Sequence, residues 1–239
     1  MKKEIYFFKK NSKIYYYDNP MVFSPTRTTE LIIKAISKNK KKFKKRKKIL
    51  DLGCGSGIIG MTIKKNIFKD SDIYFSDFSE NAVEITKKNL VLNKLNCEVK
   101  KSYLMKKWKK NKFDLIVNDI SGISSFFQKK KIWYNKFIPC DSGLDGTKLT
   151  FKFFKNFKTK NVSVIIPLIS LSNVLKVKNY FLRKKIKFKT LLREDWPLSK
   201  KLVNKYLKNL IQLKKKNLIF YEEKFGALIA YTEILLVKL

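Results

Sequence analysis

The sequence predicts an α/β domain with a mostly parallel sheet and helices on both faces. Three observations carry this reading. Apolar runs of strand length alternate along the chain with amphipathic runs of helix length. The stretch Ile49 to Met61, ILDLGCGSGIIGM, reads as a short apolar strand, an acidic residue near its end, a glycine-rich turn and the opening of a helix. A second apolar run, Ile73 to Ser76, ends in Asp77. A carboxylate a little over ~20 residues past such glycines can accept hydrogen bonds from the ribose of an adenosine-containing cofactor. A solvated loop aspartate is the alternative.

Composition bounds the rest. The 239 residues, 44% hydrophobic and 14% aromatic, suffice for one sizeable core. No run approaches the ~20 apolar residues of a membrane span, and Met1 to Asn11 is too weakly apolar for a signal peptide, so a cytoplasmic protein is expected. The chain has no histidine, which excludes Ser-His-Asp triads, Cys-His pairs and histidine metal sites. The three cysteines, Cys54, Cys97 and Cys140, have no paired spacing, so neither a disulfide framework nor a metal site is expected. The net charge of +36 points to an acidic partner such as RNA. Drift toward A/T-rich codons would also enrich lysine, yet it does not explain 55 Lys and Arg against 19 Asp and Glu.

In chain order, Ile5 to Phe8 and Ile14 to Tyr17 predict a hairpin over about 4–18. Met21 to Ile36 predicts a helix, with Ser24 as cap and Pro25 at its first position. Lys38 to Lys48 reads as a solvated linker entering the first strand, Lys48 to Leu52, from the end remote from ligands. Ile58, Ile59, Thr62 and Ile63 line the inner face of the helix after the glycines, and Asn81 to Leu92 forms another. Cys97 to Lys100 is the third strand, Phe113 to Val117 the fourth, and Val162 to Ile166 the fifth, stopped by Pro167. Ser172 to Leu182 is a helix. Ile186 to Leu192 and Ala227 to Val237 complete the sheet as an antiparallel pair. The insertion between them, about 193–226, carries an amphipathic helix that is either a substrate lid or a packing element.

Gly53, Gly55 and Gly57 let the turn adopt backbone angles forbidden to other residues and let a ligand lie against the main chain. Gly55-Ser-Gly57-Ile-Ile-Gly60 also fits the dinucleotide pattern G-x-G-x-x-G, so an NAD site is open on spacing alone. Asp51 argues against it, because a carboxylate there would repel a pyrophosphate and suits a ligand bearing a cationic amino group. Cys54 serves as a small residue filling the turn.

With Asp51-Leu-Gly53-Cys-Gly55-Ser-Gly57, the sequence resembles the class I S-adenosylmethionine-dependent methyltransferases, whose first motif is D/E-x-G-x-G-x-G. VFSPTRTTE, from Val22 to Glu30, is similar to the segment before that motif in HemK-type glutamine and related rRNA guanine methyltransferases. The resemblance covers roughly Met21 to Ser170. It implies S-adenosyl-L-methionine as cofactor and a seven-stranded sheet of order 3-2-1-4-5-7-6 in a single domain over 1–239. It makes Asp51, Gly53, Cys54, Gly55, Gly57 and Asp77 cofactor-binding residues. It also makes Thr28, Thr29 and Glu30 cofactor-side candidates, although ordinary first-turn helix roles fit them equally well.

The pattern departs from the family at two places. Tyr103 stands where related enzymes place an aspartate for the adenine amino group, so it either stacks on adenine or belongs to the core. Strand four ends in Asn118-Asp119-Ile120-Ser121 instead of N/D-P-P-Y/F, so specificity for an amide or adenine nitrogen does not carry over. Asp119 is placed to act as general base, with helix capping as the alternative for it and Ser121. Asn118 and Asp119 are therefore the catalytic candidates. Gly143-Leu-Asp145-Gly146-Thr147 resembles the aspartate-glycine turn that follows the acceptor motif in HemK-type enzymes. Pro139-Cys140 falls in the wrong place for a cytosine-methylating nucleophile. The basic and aromatic cluster of Lys129, Lys130, Lys131, Trp133, Tyr134 and Lys136 is suited to single-stranded RNA. Two readings stand beside methylation of RNA or a ribosome-associated protein: an NAD-type oxidoreductase, and a non-catalytic nucleic-acid-binding protein on the same scaffold.

Overall fold

A computed structural model describes residues 2–9, 12–43, 47–133, 138, 140, 142–157 and 159–239. The chain opens with an antiparallel hairpin of β1 (Lys2–Lys9) and β2 (Ser12–Asp18). There follow α1 (Arg27–Lys38), the single turn α2 (Lys40–Phe43), β3 (Lys48–Leu52) and α3 (Ile58–Thr62), which widens into a π-type turn over Ile63–Ile67. Next come β4 (Asp72–Asp77), α4 (Glu80–Leu92), β5 (Glu98–Lys101), β6 (Leu115–Asn118), α5 (Ser125–Lys129) and α6 (Lys148–Asn156). The last third is β7 (Ser163–Ile169), α7 (Val174–Arg183), β8 (Lys187–Pro197), α8 (Lys200–Lys215), β9 (Glu222–Lys224) and β10 (Ala227–Lys238).

The main sheet runs β5-β4-β3-β6-β7-β10-β8, which is 3-2-1-4-5-7-6 in the numbering of the expected strands. Neighbours from β5 to β7 are parallel, and β10 is antiparallel to both β7 and β8. The short β9, absent from the sequence reading, pairs with the start of β10. β3 lies at the centre, and because side chains alternate across a strand, its residues divide between two cores. Ile49 joins the cluster formed with α1 and α3, while Leu50 and Leu52 join Phe153, Phe154 and Phe181 of α6 and α7.

Several local expectations are corrected. α1 begins two residues later than predicted, after Thr26, whose backbone N–H donates to Thr29 Oγ1 at 3.2 Å. Pro25 thus precedes the cap, and Ser24 donates to Asp18 instead of capping α1. The expected linker before β3 contains α2, because Phe43 is an apolar anchor within the lysines and is fully buried. Residues 44–46 of that basic run lie outside the described residues. Pro167 does not stop β7: the pairing with β6 ends at Val117 and Ile165, so the missing N–H costs no bond on that side, and Pro167 pairs with Ile234 of β10. β8 continues to Pro197, which takes the first five residues of the expected insertion into the sheet. The side-chain alternation of β8 breaks between Leu192 and Thr190, at a bulge against Ile234 and Leu235, and Thr190 is exposed.

The hairpin docks on α4 through two asparagines. Asn89 Oδ1 accepts from Tyr17 N at 2.8 Å; Asn93 accepts from Tyr15 N at 3.1 Å and donates to Tyr15 O at 2.6 Å. An edge strand is thereby satisfied by helix side chains in place of another strand.

Candidate active site

All parallel strands point their C-terminal ends the same way, and two adjoining cavities open there, as expected for an open α/β sheet. The larger, about 410 Å³, lies over β6, β7 and β10. The smaller, about 250 Å³, lies over β3 and β4. Gly53, Gly55, Asp119, Ile120 and Ser121 line both.

The glycine turn separates them. Gly53, Gly55 and Gly57 have φ of +78°, +53° and +80°, a region that disfavours any side chain. At Gly53 a Cβ would also lie 2.9 Å from the Asp119 carbonyl oxygen, so glycine is required for the β3 and β6 loops to approach each other. The turn is tied to β4 by Gly53 N and Cys54 N, which donate to Ser76 O at 2.8 and 3.1 Å. It is tied to α4 by Thr86, which donates to Gly55 O at 2.9 Å, and by Asn89, which donates to Ser56 O at 2.9 Å. Sequence reasoning missed both partners; their signal was polar residues at i, i+3 on an otherwise apolar helix face.

Asp77 lines the smaller cavity and orders the turn, accepting from Gly55 N at 3.0 Å and Ser79 N at 2.9 Å. Burial raises its carboxyl above the ordinary value, opposed by the N–H groups of Ser79, Gly55 and Phe78. Beside it Tyr103 and Phe78 meet edge to face, ring centroids 5.5 Å apart, with Lys152 4.6 Å from the Tyr103 ring centre. Tyr103 therefore lines a cavity and is not part of either main core cluster. Phe78, more than half exposed, went unrecognised because nothing in its local pattern separates it from a surface aromatic.

Thr28, Thr29, Cys54 and Asp119 line the larger cavity, with Ile120, Pro167, Ile169, Trp133, Trp196 and Thr232. Trp196 Nε1 donates to Thr232 Oγ1 at 3.1 Å, which fixes the indole across β8 and β10. Burial keeps the Cys54 thiol well above its usual range, and so protonated. The Asp119 side chain has no hydrogen-bond or ion-pair partner among the described residues, and burial alone pushes it up to about 7. It can therefore take up or release a proton near neutrality. Ser121 does not cap a helix; its hydroxyl donates to Cys140 O at 3.1 Å, and Ser142 donates to Ser121 O at 2.6 Å, anchoring the loop after β6. Gly146, with φ +73°, packs against the backbone of Ile123 and Ser124 and supports the same loop.

Other candidates lie outside both cavities. Asp51 is fully buried under the turn, where Oδ2 accepts from Gly60 N at 2.8 Å and Oδ1 is unpartnered. Burial pushes its carboxyl up to about 8, and its bond from Gly60 N ties β3 to α3. Gly57 starts α3 against Thr86, and Gly60 packs where a Cβ would meet the Phe75 ring at 2.4 Å. Asn118 is buried with Oδ1 unpartnered among the described residues. Glu30 is exposed and paired with Arg27. Cys140 is buried and lines neither cavity, and Pro139, Tyr134 and Lys136 lie outside the described residues. Lys47 N and Lys48 N donate to Asp114 at the opposite end of the sheet. Among the described residues no cluster of His, Cys, Asp and Glu could hold a metal, and no helix is long and apolar enough to cross a membrane.

Residues 14–119 match the methyltransferase small domain. The chain is 31% identical over 123 residues to the release factor glutamine methyltransferase of Flavobacterium psychrophilum, a match covering 50% of this chain and 42% of that protein. It thus spans less than half the length of that relative. Among solved structures, the E. cuniculi Mtq2-Trm112 complex, responsible for methylation of the eRF1 translation termination factor, superposes with a TM-score of 0.58 at 12% identity, over 91% of this chain and 98% of that one. The T. thermophilus 16S rRNA methyltransferase in complex with AdoMet and guanosine superposes with a TM-score of 0.56 at 13% identity, over 97% and 50%. Over residues 14–119 this chain is similar to the methyltransferase small domain, and over nine-tenths or more of its length its fold is like that of these two solved structures.

Proposed function

We propose that the protein is a cytoplasmic methyltransferase that uses S-adenosyl-L-methionine and methylates a base of RNA. The observation that carries this reading is the meeting of the two cavities at Gly53 and Asp119. In the smaller, Asp77 offers a carboxylate for ribose hydroxyls and Tyr103 and Phe78 offer ring surfaces for adenine. The glycine turn is a cradle that a single Cβ would obstruct, and it fits a ligand lying against the main chain. Thr28, Thr29 and Cys54 enclose the other end of that cradle. When bound, S-adenosylmethionine supplies an already activated methyl group, so the protein's task is mostly orientation.

The larger cavity then receives the acceptor. Its walls are largely apolar, Trp133 and Trp196 suit a planar ring, and the raised carboxyl of Asp119 supports a role in taking the proton that a ring or exocyclic nitrogen must lose. The net charge of +36 favours RNA over a protein acceptor. We read 1–239 as one catalytic domain, with the hairpin and the β8–β10 connection as additions to it.

Calorimetry with S-adenosylhomocysteine and NADH tests the assignment. Binding of the first and not the second is expected; NADH binding alone would indicate an oxidoreductase, and binding of neither a nucleic-acid-binding scaffold. Mass spectrometry of RNA and protein from a deletion strain, compared with the parent, identifies the acceptor.

A further inference from the structure

α8 is joined to the acceptor side of the sheet. Leu198, Leu202 and Leu210 pack with Ile123, Phe127 and Leu171, and both Ile123 and Leu171 line the larger cavity. Tyr206, where the helix departs from helical angles with φ −130°, meets Phe126 of α5 edge to face at 5.6 Å. Phe127 in turn lies 5.0 Å from Trp133 at the cavity wall.

The opposite face of α8 is exposed and strongly cationic. From Lys200 to Lys216 there are seven lysines and no aspartate or glutamate, and every one of those lysines is exposed. No carboxylate pairs with any of them among the described residues. α7 is different: Lys176 pairs with Asp145 at 2.6 Å and Lys178 with Glu233 at 2.5 Å. On α7 the fold supplies counter-charges, and on α8 it does not. Lys201 and Lys205, one helical turn apart, share a face, and Lys208 follows just past the kink at Tyr206. Like charges at these spacings work against the helix, so a counter-charge from outside would relieve it.

Resting on the methyltransferase reading above, we propose that α8 is the phosphate grip for the RNA acceptor, holding the strand along Lys201, Lys205 and Lys208 while one base enters the larger cavity. Charge complementarity and continuity with the cavity wall select a polyanion over a protein. The grip carries no sequence information; the cavity does the selecting.

The test measures binding of a short, end-labelled single-stranded RNA of mixed sequence across a salt series, for the wild type and for Lys201→Gln/Lys205→Gln/Lys208→Gln. Each phosphate contact contributes about 0.7 to the salt slope, so the triple variant should lose about two units of slope. Its S-adenosylhomocysteine affinity should be unchanged, which also shows that it is folded. Lys40→Gln/Lys41→Gln/Lys42→Gln, at the far end of the sheet, should bind RNA nearly as the wild type does. An unaltered slope in the α8 variant, or absence of RNA binding by a wild type that binds S-adenosylhomocysteine, would overturn the proposal. RNA binding that depends on α8 in a protein that binds no S-adenosylhomocysteine would uphold the grip and remove the methyltransferase reading.

Discussion

The two cavities were built by different means. The smaller is made of short segments that all fall within residues 21–149: the stretch before α1, the glycine turn, the end of β4, the turn after β5 and the loops after β6. The larger draws on α1, the loops after β3 and β6, β7, β8 and β10, so its walls span more than 200 residues of sequence. A site written in short motifs tolerates divergence elsewhere, whereas one assembled from distant strands can change its occupant through single substitutions. If this contrast holds, damage to the turn abolishes cofactor binding, and damage to the acceptor side leaves that binding intact.

The largest effect is expected at the shared wall. Gly53→Val combines a left-handed φ with a clash against the Asp119 carbonyl, and calorimetry should show S-adenosylhomocysteine binding weakened ~100-fold or more. Asp119→Asn should lower turnover ~100-fold with unchanged cofactor affinity, the size typical of a lost general base. Wild-type turnover should rise with pH through about 7 as Asp119 ionises, and the variant should lose that rise. Retention of full activity by Asp119→Asn would return the acceptor side to a purely steric role. Asp77→Ala should weaken S-adenosylhomocysteine by one or two charge-assisted hydrogen bonds, each about 1.5–3 kcal/mol, and an unchanged isotherm would remove Asp77 from the ribose site.

The smallest expected effect is on stability. Asp119 and Asp51 have carboxyls raised to about 7 and about 8, above the ~3.9 of an unfolded chain. Between those values the folded protein holds protons that the unfolded chain releases, so stability falls as pH rises from about 4 to 8. Thermal melts of the ligand-free protein should show a lower Tm at pH 8 than at pH 5. Asp119→Asn, which cannot titrate, should narrow that difference in Tm.

The same contrast explains what was legible in the sequence. The individual strands, the glycine turn and the position of Asp77 could be read because each is local: a strand of apolar residues, a turn that needs positive φ, and a carboxylate at a strand end; the strand order followed from the family resemblance. Proximity of Asp51 to the glycines in sequence suggests a charge facing the ligand, while strand alternation turns it beneath the turn toward Gly60. Pro167 in isolation predicts a strand stop, yet its lack of N–H matters only when a partner strand is present on that side, a tertiary fact. Trp196 and Thr232 meet across two antiparallel strands, and no spacing in the chain announces them.

Asn89 does two jobs with one side chain: its oxygen accepts from Tyr17 of β2, and its nitrogen donates to Ser56 in the glycine turn. The hairpin and the turn are therefore not independent cooperative units. A ligand that stiffens the turn should also suppress local opening at the hairpin, so amide exchange at Tyr17 would slow on binding although Tyr17 lines neither cavity. By the same linkage, removing the hairpin would leave the Asn89 amide free to turn toward water, and the turn would pay in ordering entropy whenever its ligand arrives.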